Sequence, residues 1–518
     1  MNSVRKKTDT AGFNLLSIGT VFTPLKWAHF AITEFDLFTK WMNGATIFDP
    51  TMGEGHLLEA LITFGLQKGV NLKELPVDNL YGVEMNTSCF ETCVRKMKST
   101  YGIRLSPHKF VNGDIFSLKN EQSFDIVFGN PPWQNFVDLP DNYKEELKPK
   151  FFTYDLIGNS QDLLLGGSRI DIAALVIQKV MQQNLKKGGE AIFFMPLSLL
   201  LNDGANQHFR TYKVNSTPYY IDKIYDFNNA DIFSGIATRY GLVHFKRDST
   251  QVFPVPYRRW EEMKWVDYFS KPMFHPRDPL SVFSDPLSNS FDNFEFISIK
   301  KDSVPRQGVN TCGANHVFFF DSYTEVDEVN CSVSNKVVTE CLLPKKYVFP
   351  LITSHNFKNG SLSPIKWVLL PYNTNGKALE LSQIRREKKL ESYLISHKEI
   401  LENRKGVMLN ALIKRGNWWS LLGVGDYSFY PYKIVWEAYG RTEFHPKIFK
   451  GGWQANQSLQ AFIPVKTMSE AKRILGLLKD KRVEEYLLSL KMEGTMNWAQ
   501  PGKIKKLVKF EEETMSLF

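Results

Sequence analysis

Cysteine is scarce and scattered in this chain: Cys89, Cys93, Cys312, Cys331 and Cys341 are an odd number, and none stands in a CxxC pair. That excludes a disulfide framework and a zinc knuckle, and no metal site is expected. Long apolar runs are missing as well. The longest, residues 191–201, is too short to cross a bilayer and is interrupted by Pro196 and Ser198, so no membrane span is expected. The opening MNSVRKKTDTAGF is basic but leads into no apolar stretch and no small-residue cleavage site. A secretory signal is therefore not expected, and the cytoplasm is the expected location. Repeats and low-complexity tracts are absent.

What is present is a chain of 518 residues, 43% hydrophobic and 14% aromatic, too long for a single core and expected to form two principal domains. Its charge is unevenly divided. Residues 1–250 hold 26 Lys+Arg and 26 Asp+Glu, while residues 251–518 hold 38 and 29, so the whole net charge of +9 falls in the second half. A neutral half joined to a basic, tryptophan-rich half suggests that chemistry and polyanion binding are separated along the chain, although a merely solvated basic surface reads the same way.

The first half alternates strand and helix. ATIFD (45–49) is followed by GHLLEALITFGL, LYGVE (80–84) by NTSCFETCVRKMKSTYG, and KFVNGD leads to FDIVFGN (124–130), which two prolines must stop. A helix is expected over DIAALVIQKVMQQNLKKGG (171–189), then strands at AIFFMP, YYIDKIYDF and ATRYGLVHFKR. Such alternation predicts an α/β fold, a doubly wound, mainly parallel sheet covered on both faces. From about residue 250 prolines and aromatics interrupt the pattern, which sets the expected boundary: one domain over 1–250, the other over 251–518. Long helices are expected at 378–406 and 468–490 in the second.

Ligands of open parallel sheets bind at the carboxyl ends of strands, and here those ends carry the unusual residues. Asp49-Pro50-Thr51-Met52-Gly53-Glu54-Gly55 is a tight turn whose glycines let backbone approach a ligand before a helix N-terminus. It has no P-loop Lys-Ser/Thr and not the full GxGxxG spacing; alone it also serves as a structural turn. Glu84 is placed to accept from both hydroxyls of a ribose, and Asp114 could accept from an exocyclic amino group; either could equally be a solvated strand-end carboxylate. The sharpest feature is Asn130-Pro131-Pro132-Trp133. A carboxamide oxygen, a proline-fixed carbonyl and an indole face make a receptor for a flat, amino-bearing base.

NPPW preceded by FDIVFG, with DPTMGEG upstream, resembles the amino-group methyltransferases that use S-adenosylmethionine. The order of motifs, Phe22-Thr23-Pro24 with Ala28 first, then DPTMGEG, then NPPW, is similar to the gamma group of N6-adenine DNA methyltransferases of restriction-modification systems. The resemblance covers residues 20–246, with looser likeness at SYLISHKEILENRKG, NWWSL and YPYKIVW. It implies a Rossmann-like methyltransferase sheet over 1–250 and a mixed α+β target-recognition domain over 251–518. Thr23 and the turn of Asp49, Pro50, Thr51, Gly53 and Gly55 would then hold the methionine part of S-adenosylmethionine, Glu84 with Met85 its ribose, and Asp114 with Ile115 its adenine. Asn130, at the junction with the cofactor, and Pro131 would bind the target amino group, with Pro132 stiffening the turn. Trp133 would stack on one face of an extruded base and Phe233 cover the other. Trp stands where the family often has Tyr or Phe, which leaves N4 of cytosine open beside N6 of adenine.

Double-stranded DNA is the implied partner, and the resemblance admits a separate cognate restriction endonuclease; oligomeric state is not legible. Candidate phosphate and base contacts are Arg258-Arg259-Trp260, Lys345-Lys346-Tyr347, Lys414-Arg415-Gly416-Asn417-Trp418-Trp419 and residues 503–506. A nuclease is not evident, since Pro140-Asp141 to Glu146-Leu147-Lys148 is too compressed. The other readings are a methyltransferase for RNA or protein glutamine, against which the large basic half speaks, and a non-catalytic DNA-binding subunit, against which the complete motif set speaks.

Overall fold

The apolar runs FDIVFG and AIFFMP stop at or just before prolines, which have no N–H to extend a ladder, and two strands of the fold end there. A computed structural model describes residues 23–118, 122–158, 170–202, 206–228, 230, 232–233, 239–285, 294–358, 363–439, 443–490 and 498–511. Phe22 and most of the DIFSG string, Asp231 and Ser234-Gly235, lie outside them. The chain divides into two units, the first reaching Asn289 and the second beginning at Ser290. Among the described residues no helix is long and apolar enough to cross a membrane.

The helices that flank the site in the first unit are α1 (Leu25–Glu34), α2 (Leu37–Met42), α3 (His56–Gln67), α4 (Thr87–Tyr101), α5 (Asp141–Thr153) and α6 (Ile172–Lys179). Its strands are β1 (Ile47–Asp49), β2 (Leu80–Glu84), β3 (Phe110–Asn112), β4 (Phe124–Gly129), β5 (Leu185–Pro196), β6 (Lys213–Val214), β7 (Thr217–Asp226), β8 (Tyr240–Arg247), β9 (Val255–Glu261), β10 (Lys264–Pro272) and β11 (Leu280–Phe283). They form one sheet in the order β11-β10-β9-β7-β8-β5-β4-β1-β2-β3, with β6 paired to β7. The first five strands are mutually parallel; β8 runs antiparallel between β5 and β7. This is the expected Rossmann-like, mainly parallel α/β sheet. Alternate residues feed opposite faces: Phe48 and Val127 pack under α5 and α6, while Ile47, Ile126 and Phe128 pack with α1 and α3, and an irregularity between Phe124 and Ile126 lets Phe124 join the first group. Because the chain leaves β1 for β2 and β3 on one side and returns to β4 on the other, the crevice falls between the ends of β1 and β4.

Four expectations are corrected. The first unit does not end near residue 250, because β9 pairs parallel to β7 (Asp226 opposite Arg259) and β10 and β11 extend the same sheet. The proline- and aromatic-rich stretch read as a boundary is thus three further strands. Nor does the helix over 171–189 run through: after Lys179 it widens into a π-turn over Val180–Asn184, and from Leu185 the chain is already pairing with Phe124. The helix expected over 378–406 is three short ones, Leu381–Arg386, Lys388–Ser396 and Lys398–Glu402; the chain leaves helical dihedrals at Glu387 and His397, so that each segment turns an apolar side chain (Ile384, Leu390, Leu401) into one core. The one over 468–490 breaks at Asp480, whose side chain accepts from the Arg482 N–H at 2.9 Å and starts a second helix.

The second unit is mixed α+β, as expected. A four-stranded antiparallel sheet has Gln460–Val465 and Tyr432–Glu437 at its centre, flanked by Arg306–Gln307 and Lys447–Lys450, and two three-stranded sheets accompany it. Several residues put forward for DNA contact serve this fold instead. Trp419 is buried with its indole N–H on the Leu379 carbonyl, and Lys503 is buried with Nζ on the carbonyls of Leu490 and Trp498. Arg258, Arg259 and Trp260 belong to β9 of the first unit. Lys414 and Arg415 are exposed.

Candidate active site

At the switch point lies a cleft of ≈ 970 Å³, counting the solvent at its open mouth. Of the residues singled out in the sequence, Thr23, Asp49, Pro50, Thr51, Gly53, Glu84, Met85, Asp114, Ile115, Asn130 and Pro132 line it. Gly55 does not, but it explains the turn: its φ is +79°, and a Cβ there would sit 2.4 Å from Cys93 Sγ of α4. Only glycine lets α3 start so close to α4.

The carboxylates are held from the backbone. Asp49, at the end of β1, is 1% exposed and accepts from the Thr51 N–H at 3.1 Å. Burial first, and the nearby Glu84 charge, push its carboxyl up to about 8, against the Thr51 hydrogen bond. Glu84, at the end of β2, accepts from the Gly53 N–H at 2.8 Å and the Asn86 N–H at 2.6 Å. Burial raises its pKa despite these bonds. Asp114 follows β3 and accepts from the Phe116 N–H at 2.9 Å and the Tyr143 hydroxyl at 3.2 Å; burial raises it too. One buried and two half-buried carboxylates thus face a cleft that also has apolar walls in Met52, Leu57, Phe116, Ile172 and Val176.

At the end of β4, the Asn130 Nδ2 donates to Thr23 Oγ1 at 3.1 Å, and the Thr51 hydroxyl donates to the Asn130 carbonyl at 3.3 Å. These bonds tie the segment before α1, the β1 turn and the NPPW turn into one unit. Pro131 is buried. Trp133 and Phe233 are not among the cleft-lining residues. The indole donates to the Phe194 carbonyl at 3.4 Å and meets Phe233 edge-on, centroids 4.9 Å apart and planes at 87°. Phe233 is 3% exposed. The structure therefore brings the two aromatic residues together, but in ring contact and not as the two walls of an open slot.

Sequence reasoning missed Tyr143, His56, Asn86, Ile172 and Val176 on the cleft, and Tyr240 in the aromatic cluster. Ile172 and Val176 stand four apart on α6, a spacing that puts them on one face and could have flagged them. Tyr143 sits in a polar stretch, DNYKEEL, with no periodic signal.

A cleft at the β1/β4 switch point, acidic residues closing three successive parallel strands and a reversed strand inserted beyond β5 define the fold class: a Rossmann-like methyltransferase sheet. Within that class, residues 84–233 match the family described as Eco57I restriction-modification methylase. The chain is similar to the Type II methyltransferase M.HincII of Haemophilus influenzae, 27% identical over 232 residues, 45% of this chain and 37% of that protein. It is also similar to the Type II methyltransferase M.VspI of Vibrio sp. (strain 343), 27% identical over 144 residues, 28% of this chain and 31% of that one. It thus spans about a third of the length of these curated relatives. Among solved structures, the Type IIL restriction-modification enzyme MmeI in complex with DNA superposes with a TM-score of 0.56 at 14% identity, over 92% of this chain and 65% of the other. A nuclease-deletion mutant of the Type ISP restriction-modification enzyme LlaGI, in complex with a DNA substrate mimic, gives 0.53 at 12% identity, over 96% and 55%. Residues 84–233, which include the NPPW turn, are thus similar to the restriction-modification methylases that the motifs resemble.

Proposed function

We propose that the chain is an S-adenosylmethionine-dependent DNA methyltransferase that methylates the N6 amino group of an adenine turned out of the duplex. The observation that supports this reading best is the NPPW turn at the end of β4, with Asn130 on the cleft wall and bonded to Thr23. The cofactor suits the cleft. A cationic sulfonium and ammonium would find the buried Asp49 carboxyl, ribose hydroxyls the Glu84 carboxylate, and an adenine ring the apolar wall beside Asp114 and Ile115. Bound there, S-adenosylmethionine supplies an electrophilic methyl group.

The chain's own residues do the rest. The lone pair of an exocyclic adenine nitrogen is delocalised into the ring and is a poor nucleophile. Asn130 Oδ1 and the Pro131 carbonyl, accepting its two hydrogens, draw that nitrogen toward tetrahedral geometry and stabilise the positive charge that develops on it. Pro131 and Pro132 remove two backbone donors and fix φ, so the acceptors need no reorganisation at the moment of reaction. The methylated nitrogen is acidic and sheds its proton to water without a dedicated base. Since N6 is inaccessible inside a duplex, the base must leave the stack, and Trp133 and Phe233 offset part of that loss. The basic second unit holds the duplex in this reading.

Single-molecule sequencing of DNA from cells expressing the chain tests it, reporting modified base and context together. N6-methyladenine at one recurring sequence is expected; N4-methylcytosine would move the substrate to the other exocyclic amine, and unmodified DNA would overturn the reading.

A further inference from the structure

Tyr240, which opens β8, takes part in none of the motifs, yet it touches both aromatic residues between which an extruded base would sit. It lies opposite Pro196 at the carboxyl end of β5 and is 5% exposed. Its ring stacks on the Trp133 indole, centroids 5.3 Å apart and planes at 30°, and meets Phe233 edge-on at 4.8 Å. Its hydroxyl oxygen accepts the backbone N–H of Ile232 at 2.8 Å and that of Phe233 at 3.2 Å. The backbone beneath is pinned from both sides, the Arg239 carbonyl accepting from the Leu197 N–H at 3.0 Å and the Tyr240 carbonyl from the Phe227 N–H at 3.3 Å.

Two contacts of different kinds thus converge on one side chain. The stacked ring braces the indole on which, under the proposed function, a base would rest. The hydroxyl satisfies two N–H groups that belong to no strand, so the backbone carrying Phe233 is held by a side chain and not by a ladder. A phenylalanine would stack on the indole equally well; only the hydroxyl reaches the backbone N–H groups of residues 232 and 233.

We infer that Tyr240 is a positioning residue for the extruded base: its ring backs the Trp133 indole and its hydroxyl holds the backbone from which Phe233 projects. The role rests on the function proposed above, and it assigns Tyr240 no contact with the reacting atoms.

The test uses the full chain with Tyr240→Phe and Tyr240→Leu, labelled S-adenosylmethionine and duplex oligonucleotides bearing the sequence found to be methylated. Tyr240→Phe is expected to lower kcat about tenfold while KM and affinity for the cofactor side, the latter by calorimetry with S-adenosylhomocysteine, stay unchanged. Tyr240→Leu, which also removes the ring behind Trp133, is expected to lose more. The decisive comparison repeats Tyr240→Phe in a Phe233→Ala background. If the hydroxyl acts through Phe233, it should there change kcat by less than about twofold. An equal fold-loss in both backgrounds, or a parallel loss of cofactor affinity, overturns the role of Tyr240 and leaves the methyltransferase reading intact. A wild-type chain that transfers no methyl group to DNA overturns the function and this role with it.

Discussion

The carboxyl edge of the first sheet has two halves built on different principles. On the β1–β3 side, Asp49, Glu84 and Asp114 are each fixed by backbone N–H groups a few residues away or on the neighbouring turn. On the β4–β8 side, Trp133, Phe233 and Tyr240 are fixed mostly by one another's rings. The first half is held in place by these backbone bonds and opens on the cleft. The second is closed by its own packing, and under the proposed function a base entering between Trp133 and Phe233 would have to replace their contact. A polar half pre-set by backbone and an aromatic half that yields to its ligand would give one rigid and one adaptable side to the same cleft.

The comparison is broken most severely at the junction. Asn130→Ala should cut methyl transfer about 10²–10³-fold, by analogy with loss of one preorganised transition-state partner, while S-adenosylhomocysteine binding measured by calorimetry stays nearly intact. Equal losses of rate and affinity would place Asn130 on the cofactor side alone. In the aromatic half, Trp133→Ala should cost about 10–100-fold in rate with cofactor affinity kept, and Trp133→Phe should retain substantial activity because stacking survives. An inactive but folded Phe variant would mean that the indole N–H to the Phe194 carbonyl matters more than the ring. In the polar half, Glu84→Ala should weaken cofactor binding about 10–100-fold and leave DNA affinity unchanged in filter binding.

A subtler contrast is in pH. Asp49 is raised from 3.8 to about 8, chiefly by burial, so the folded chain keeps its proton where the unfolded chain has lost it. Asp49 therefore favours folding fully below pH 3.8, and that contribution is lost as pH rises through about 8. Relative to Asp49→Asn, wild-type Tm should fall across that interval by a few degrees. A cationic ligand beside Asp49 favours its ionised form, so cofactor affinity should rise up to about pH 8 and binding should release a proton. Calorimetry in buffers of different ionisation enthalpy reads that proton, and Asp49→Asn should abolish it. The smallest effect is expected in the second unit. Replacing exposed Lys414 and Arg415 by Glu should weaken duplex binding and lower the slope of log affinity against log salt by about one for each phosphate no longer neutralised.

Much of the polar half was legible in the sequence because its residues are unusual where they stand: a carboxylate or Asn-Pro-Pro closing an apolar run has few structural uses. The aromatic half was legible only in part. Trp133 and Phe233 sit in recognisable strings, whereas Tyr240 reads as an ordinary strand residue and reveals itself only through its partners in space. The end of the first unit was misread for a definite reason. The β9–β10 hairpin turns on Glu262 and Met263, both with positive φ (+47° and +65°), without the Asn-Gly or Asp-Gly that signals such turns. In the second unit, the lysine- and tryptophan-bearing strings read as DNA-contacting surface, but Lys503 and Trp419 point inward, and a string of basic letters carries no mark of which ones are buried. The charge division survives the shift, since residues 251–289 hold five basic and five acidic side chains and leave the +9 with residues 290–518.

The strands beyond residue 250 also close an ionic cluster. Buried Asp226, at the end of β7, is bonded by Arg239, by the Tyr257 hydroxyl at 2.6 Å and by Arg259 at 3.2 Å, the last two from β9. A chain stopped at residue 250 would strip that carboxylate of two partners and bare to water the Ile224–Asp226 edge of β7 that β9 covers. Such an edge recruits strands from other molecules. The catalytic-type sheet should therefore come out of cells as aggregate when cut there and as a monodisperse species when carried through to residue 289.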